Sequence, residues 1–296
     1  MSAPLSVLDA AILGVVEGVT EYLPVSSTGH LVLASSLLGL NEPAERKHAV
    51  DAFNIVVQGG AILAVLGLYW PSVLRMVRGV LGRDNGGFML LVNLVIAFLP
   101  AAAIGFALKD WIEATLFHPW PVIAALVVGG VFMIWLDWWR CGRLSRPRYH
   151  ARASGTMYDM TPRQALIVGL MQVVAMWPGT SRSMMTITGA MVAGLKPRQA
   201  AEFSFLLGVL TLGAASAYTL AKNLHEARST NTPNMFGVLG WTPVLVGLVV
   251  AAVSAGLAVK WLVGFLTRHG LAPFGWYRIV LGVVLGVLMW RGVVEM

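Results

Sequence analysis

Six apolar stretches, at about 52–69, 88–108, 121–139, 202–221, 242–265 and 274–290, dominate this chain, and each is long enough to cross a bilayer. In lipid every backbone N–H and C=O must find a partner inside the protein, so the crossings are helices or strands of a closed barrel. The stretches lack strand alternation, which selects helices. With 57% hydrophobic and only 12% charged residues, the chain reads as an all-α polytopic membrane protein forming a single integral domain, 1–296. No basic leader or small-residue cleavage pattern precedes the first apolar segment, which is therefore expected to belong to the fold. The lone Cys141 excludes an intramolecular disulfide.

Two further regions behave differently. The segment 7–22 makes about 24 Å of helix, short of a hydrocarbon core of roughly 30 Å. The same holds for 162–177, which starts with the capping-box pattern Thr161-Pro162-Arg163-Gln164. Ser6-Val7-Leu8-Asp9 is a weaker version of that start. Each region is a pair of short apolar pieces split by polar residues, and this predicts two re-entrant hairpins, 6–40 and 161–195. Sliding the first along the chain lays Pro24 on Pro178 and Ser27 on Ser181. Repeat 1 then covers about 1–139 and repeat 2 about 160–296, joined by a basic loop at 140–160.

Charge sets an orientation, because cytoplasmic loops collect Lys and Arg. Six crossings put Arg75, Arg78 and Arg83, the series Arg140, Arg143, Arg146, Arg148, Arg152 and Arg163, and Lys196, Arg198, Lys260 and Arg268 on one side. The opposite side mixes Arg46, Lys47, Lys109, Lys222, Arg228 and Arg291 with seven acids such as Glu42, Asp51 and Glu226. The basic side is expected to be cytoplasmic, so the first hairpin enters from outside and the second from the cytoplasm, as an inverted-topology repeat. Topology and anionic lipid account for the net charge of +7 without a nucleic-acid partner.

The polar residues that interrupt the hairpins carry the chemistry. Glu17 and Glu21, one helical turn apart, share a face. Gly14 and Gly18 beside them let another backbone come close. Ser26, Ser27, Thr28 and Gly29 sit where a second half-helix begins, with His30 just after. Capping explains one or two of the hydroxyls, not all three. In the other half Gly179, Thr180, Ser181 and Ser183 repeat the arrangement, and Arg182 adds a guanidinium that needs a compensating anion at mid-depth. Two half-helix N-termini, an Arg and a set of hydroxyls form a phosphate or diphosphate site by ordinary electrostatics.

The run Glu17 to His30, the segment Pro178 to Ser183, Gln58-Gly59-Gly60-Ala61-Ile62-Leu63, Glu202-Phe203-Ser204-Phe205-Leu206-Leu207 and Tyr277-Arg278-Ile279 together resemble the undecaprenyl-diphosphate phosphatase family, the bacitracin-resistance protein type. Met184 and Leu210 depart from it, where the family usually has Gly and Pro. The resemblance implies hydrolysis of undecaprenyl diphosphate to the monophosphate carrier lipid and inorganic phosphate, at the outer face of a bacterial inner membrane, with recycling of the carrier for cell-wall synthesis and bacitracin resistance. It also implies a divalent cation, Mg²⁺ or Ca²⁺, for which Glu17 and Glu21 are the candidate ligands, or alternatively general bases. Ser27 is the preferred nucleophile, with His30 as its base or itself the attacking group. Arg182 neutralises charge, and Ser26, Thr28, Gly29, Gly179, Thr180, Ser181 and Ser183 hold phosphate oxygens. Membrane lipids are the expected surroundings, and a homodimer stays open. A transporter or flippase of a polyprenyl phosphate is the competing reading, since facing half-helices also build transporters. Another lipid-phosphatase superfamily places His where Thr188 stands here.

Overall fold

The computed structural model describes residues 5–40, 44–140, 156–230 and 235–291. The stretch 141–155, with Cys141 and His150, and the side chains of Arg46 and His48 lie outside the described residues. Among the described residues all regular structure is helical. The six expected crossings are found as α3 (Ala44–Leu68), α5 (Asn85–Leu116), α6 (Pro119–Arg140), α9 (Pro197–Thr230), α11 (Trp241–His269) and α12 (Ala272–Trp290). Most run several residues past their apolar cores, because a nucleated helix extends through flanking polar residues at little cost.

The segment after α3, expected as loop, is instead a short amphipathic helix, α4 (Trp70–Val80), opened by Pro71 in its first turn. It carries Arg75 and Arg78 beside exposed Trp70, Leu74 and Val77. Pro71 suits a helix start, since its missing N–H is one that the first turn leaves unbonded anyway. A five-residue helix, α10 (Met235–Leu239), precedes α11.

The two interrupted regions are helix–turn–helix pairs: α1 (Val7–Thr20) with α2 (Ser27–Leu37), and α7 (Pro162–Val174) with α8 (Arg182–Val192). Ser6 caps α1 by accepting from the Asp9 N–H at 3.0 Å. Thr161 and Gln164 form the full capping box on α7. Both second helices have 11 residues and both are preceded by a serine at φ 75°, Ser26 and Ser181. Conformation therefore pairs Ser26 with Ser181 and Ser27 with Arg182, one residue away from the register in which Pro24 meets Pro178. Identity of side chain had suggested one alignment; the backbone reversal, which decides where each half-helix starts, sets another.

The pairs pack reciprocally, α1 against α11 and α7 against α5, while α3 meets α9 and α6 meets α12. Gly14 lies under the Gly247 carbonyl and Gly169 under that of Ala97, each so close that a Cβ would stand 2.6 or 2.7 Å from the oxygen. This approach brings both turns to one place in the interior. Tyr22, Phe203, Phe205, Met184 and Met191 fill the space around them.

Candidate active site

Glu21 is the hub. It follows the last residue of α1 with helical dihedrals, and its N–H still reaches the Glu17 carbonyl at 2.9 Å, so both carboxylates leave the same helix face. Pro24 ends the helix, and Ser26, at φ 75° and ψ 100°, turns the chain back. Such dihedrals cost an L residue with a side chain on the order of 1–3 kcal/mol and persist only where the surroundings enforce them. The reversal puts Ser27 at the first position of α2, where its Oγ donates to Glu21 Oε2 at 2.7 Å. Gln58 Nε2 lies 3.4 Å from the same oxygen.

The second turn supplies the cation. Trp177-Pro178-Gly179-Thr180 leads to Ser181, whose Oγ accepts from the Met184 N–H, so this half-helix has the side-chain cap that the first lacks. Gly179, at φ 91°, lies beneath the Val122 carbonyl and has no room for a side chain. Arg182 opens α8, and its Nη2 meets Glu21 Oε1 at 2.9 Å with 13% and 5% of the two side chains exposed. Its Nη1 donates to the Ser204 carbonyl at 3.2 Å, and its guanidinium carbon lies 5.4 Å from the Tyr22 ring centroid. Removing one partner of so buried an ion pair costs about 3–5 kcal/mol, because the other charge is left uncompensated.

The two turns are bound to each other. Ser183 Oγ donates across to the Leu23 carbonyl at 2.8 Å. Arg278, fully buried on α12, donates to Gly179 O at 2.8 Å, Ala125 O at 3.0 Å, Leu126 O at 3.4 Å and Pro24 O at 3.5 Å. It thus ties the first turn, the second turn and α6 together through carbonyl groups alone.

The remaining expected residues take varied places. Both ring nitrogens of His30 are engaged away from Ser27: Nδ1 with the Ser26 carbonyl and Nε2 with the Tyr277 hydroxyl, each at 2.7 Å. Thr28 is exposed toward a cavity, Gly29 is buried against Leu126, and Thr180 is buried with its N–H on the Trp177 carbonyl. Ser181 and Ser183 share a hydrogen bond of 3.0 Å. The cavity, about 1040 Å³, is lined beside the turns by Ser27, Thr28, Gln58 and Pro178, and also by the polar Lys47, Asp51, His118 and Lys222 and the apolar Leu31, Ile55 and Val122.

Glu17 is fully buried, and neither carboxylate oxygen has a hydrogen-bond partner. No cluster of three or more His, Cys, Asp or Glu side chains occurs among the described residues. Glu17 with Glu21 remains a donor set of hard oxygens, and two unmatched buried oxygens fit a divalent cation that takes further ligands from a phosphate.

Three contributors escaped the sequence reading as site residues: Arg278, Tyr277 and Ser204. Arg278 did leave a signal, a charge inside an apolar crossing, but its partners are backbone carbonyls and leave no trace in side-chain identity.

The profile of the family described as bacitracin resistance protein BacA matches residues 10–284. An undecaprenyl-diphosphatase of Sorangium cellulosum is 42% identical over 276 residues, covering 93% of this chain and 84% of that relative. One of Acidovorax ebreus is 40% identical over 290 residues, covering 98% and 97%. The undecaprenyl-diphosphatase 2 of Rhodospirillum rubrum is 42% identical over 288 residues, covering 97% of each chain.

Proposed function

The chain belongs to the bacitracin resistance protein BacA family, and from that premise we propose that it hydrolyses undecaprenyl diphosphate to undecaprenyl phosphate and inorganic phosphate. The observation that carries the mechanism is Ser27 Oγ donating to a carboxylate whose other oxygen is held by Arg182. Ser27 Oγ attacks the terminal phosphorus while Glu21 Oε2 takes its proton. The O–P bond to Ser27 forms as the bridging P–O bond breaks, and undecaprenyl phosphate leaves with that electron pair. Water then attacks the phosphoserine, and Glu21 returns the proton to Ser27 as phosphate departs. Arg182 orients Glu21 and stands beside the charge that develops on the phosphoryl oxygens, a contribution that electrostatic positioning makes the largest in this chemistry.

A divalent cation, Mg²⁺ or Ca²⁺, would be held by Glu17 with Glu21 and would add positive charge against the diphosphate oxygens. Ser26, Thr28, Gly29, Gly179, Thr180, Ser181 and Ser183, in the turns and first helical residues on either side of the Glu21–Arg182 pair, are the candidates to hold those oxygens, and of these Thr28 lines the cavity. The cavity offers polar lining for the headgroup and the apolar Leu31, Ile55 and Val122 for the start of the isoprenoid chain.

The reciprocal packing of the two helix pairs supports re-entrant hairpins in an inverted repeat. The cavity lining includes residues near the start of α3, between α5 and α6, and late in α9, but none from the Arg75 to Arg83 stretch that precedes α5. With the basic side in the cytoplasm, the cavity opens toward the outer face of a bacterial inner membrane.

The test is phosphate release from undecaprenyl diphosphate by purified protein in detergent, with and without chelator, for wild type, Ser27→Ala and Arg182→Ala. Cation-dependent release lost in both variants is expected. No release with any divalent cation, while the lipid still binds, would replace hydrolysis by transport.

A further inference from the structure

His30 lies three residues from Ser27 and is the obvious base for it, yet its contacts describe a different task. A carbonyl oxygen only accepts, so the 2.7 Å contact with Ser26 requires the proton on Nδ1. In the neutral ring Nε2 then carries the lone pair, and at 2.7 Å it accepts from the Tyr277 hydroxyl. The two rings lie nearly coplanar in orientation, 3° apart, with centroids at 5.7 Å. Neither nitrogen has a lone pair left for the Ser27 proton, which goes to Glu21.

Comparison of the two turns shows why an imidazole belongs here. Ser26 and Ser181 share φ 75°, but only Ser181 caps its helix through its own hydroxyl; Ser26 makes no side-chain cap bond. What the first turn has instead is a ring N–H on the Ser26 carbonyl. In the conformational register the position matching His30 is Met185, which holds the Ser181 carbonyl with its backbone N–H at 3.2 Å where the first turn uses the His30 ring. The Ser26 carbonyl belongs to the peptide plane that leads into Ser27, so its orientation fixes where the Ser27 Oγ points.

We infer that His30 is a positioning residue, holding the Ser26 carbonyl through Nδ1–H so that Ser27 Oγ is aimed at Glu21, and that Tyr277 fixes the tautomer that makes this bond. Tyr277 neighbours Arg278, so one turn of α12 secures both the shape of the break and the direction of the nucleophile. The inference rests on the phosphatase reading and goes beyond it by removing His30 from the proton-transfer path.

Amide substitutions separate the two nitrogens, because an Asn side-chain N–H falls where Nδ1 stands and that of Gln where Nε2 stands. The kcat and KM for phosphate release from undecaprenyl diphosphate are compared in wild type, His30→Asn, His30→Gln, Tyr277→Phe and the His30→Asn/Tyr277→Phe double variant. The Asn variant is expected to keep kcat within about tenfold of wild type, and the Gln variant to lose on the order of a hundredfold in kcat with KM nearly constant, as a misaimed nucleophile does. Tyr277→Phe is expected to lower kcat several-fold in the wild-type background and to have no further effect in the His30→Asn background, where the amide has no tautomer to fix. If His30 acts as base or nucleophile through Nε2, both amide variants are inactivated alike, and the inference fails. Long-range ¹⁵N–¹H correlation spectra of the wild-type ring give a second reading that needs no variant to fold: a proton on Nδ1 alone is expected, and a proton on Nε2 at neutral pH overturns it. Wild type without any phosphate release would instead sink the phosphatase reading itself.

Discussion

Replacing Arg278 by Met is expected to loosen both the fold and the site, and the size of the effect follows from its four carbonyl partners. The two short bonds, to Gly179 at 2.8 Å and Ala125 at 3.0 Å, are hydrogen bonds from a charged donor; those to Leu126 and Pro24, at 3.4 and 3.5 Å, are weak. Charged hydrogen bonds contribute about 1.5–3 kcal/mol each, so the short pair contributes about 3–6 kcal/mol. Burying the guanidinium opposes this by several kcal/mol. Met fills a similar volume and removes that burial cost; Ala125 keeps its helical partner inside α6, but the Gly179 carbonyl in the turn is left unmatched at about 1–3 kcal/mol. The net loss is therefore about 1–3 kcal/mol, equivalent to a fall in Tm on the order of 5 °C for a chain of this size.

Intrinsic tryptophan fluorescence during heating in detergent reads this directly, since the chain has 11 tryptophans. Phosphate release at a temperature where the variant is folded should fall further than the folded fraction does, because Pro24 and Gly179 no longer hold the turns that carry Ser27 and Arg182 at a fixed separation. Arg278→Lys keeps the charge but presents a point donor in place of a fork, and should lie between the two. A Tm within about 2 °C of wild type together with full activity in Arg278→Met would refute the reasoning, since it would mean that the turns are held by other contacts.

Other substitutions probe the remaining parts. Glu21→Gln keeps the shape of the hub but removes the base and the counter-charge of Arg182; kcat for phosphate release should fall by about 10²–10⁴, with a parallel loss of Tm. Glu17→Gln should leave the fold intact while raising the Mg²⁺ or Ca²⁺ concentration for half-maximal activity; an unchanged cation titration would remove Glu17 from the ligand set. Gly18→Ala would drive its Cβ into Ser254 Oγ and the Ala251 carbonyl, and the forced separation of α1 from α11 should cost about 1–3 kcal/mol of thermal stability. Asp84, outside the spans, is held down at about 2 by hydrogen bonds from the Arg75 side chain and the Gly87 N–H, against an ordinary value of 3.8. A depressed acid contributes stability that is present above its unfolded value and lost as pH falls through the folded one, so Asp84→Asn should flatten the decline of Tm between about pH 4 and pH 2.

Much of the frame was legible because lipid imposes simple rules on a sequence. Backbone groups without water must close on themselves, so apolar length alone located six helices, and the short segments between polar breaks located the two helix–turn–helix pairs. Residue types that are expensive in lipid pointed to a candidate site: Glu21, Ser27 and Arg182 stand out by chemistry and converge in space. What resisted was everything decided by backbone direction. The reversal at Ser26 and Ser181 needs a serine to accept φ 75°, a conformation that serine does not advertise, and the register between the two halves went astray by one residue for that reason. The same blindness concealed Arg278, whose partners are carbonyls, and left His30 open as base or attacking group from its proximity along the chain. Sequence distance put His30 beside Ser27; one helical turn of α2 points the ring back at Ser26 instead, and the acid that accepts from Ser27 is six residues upstream across the break. In a site built from two broken helices, the polar side chains name the chemistry, while the carbonyls exposed by the breaks decide which side chain is free to perform it.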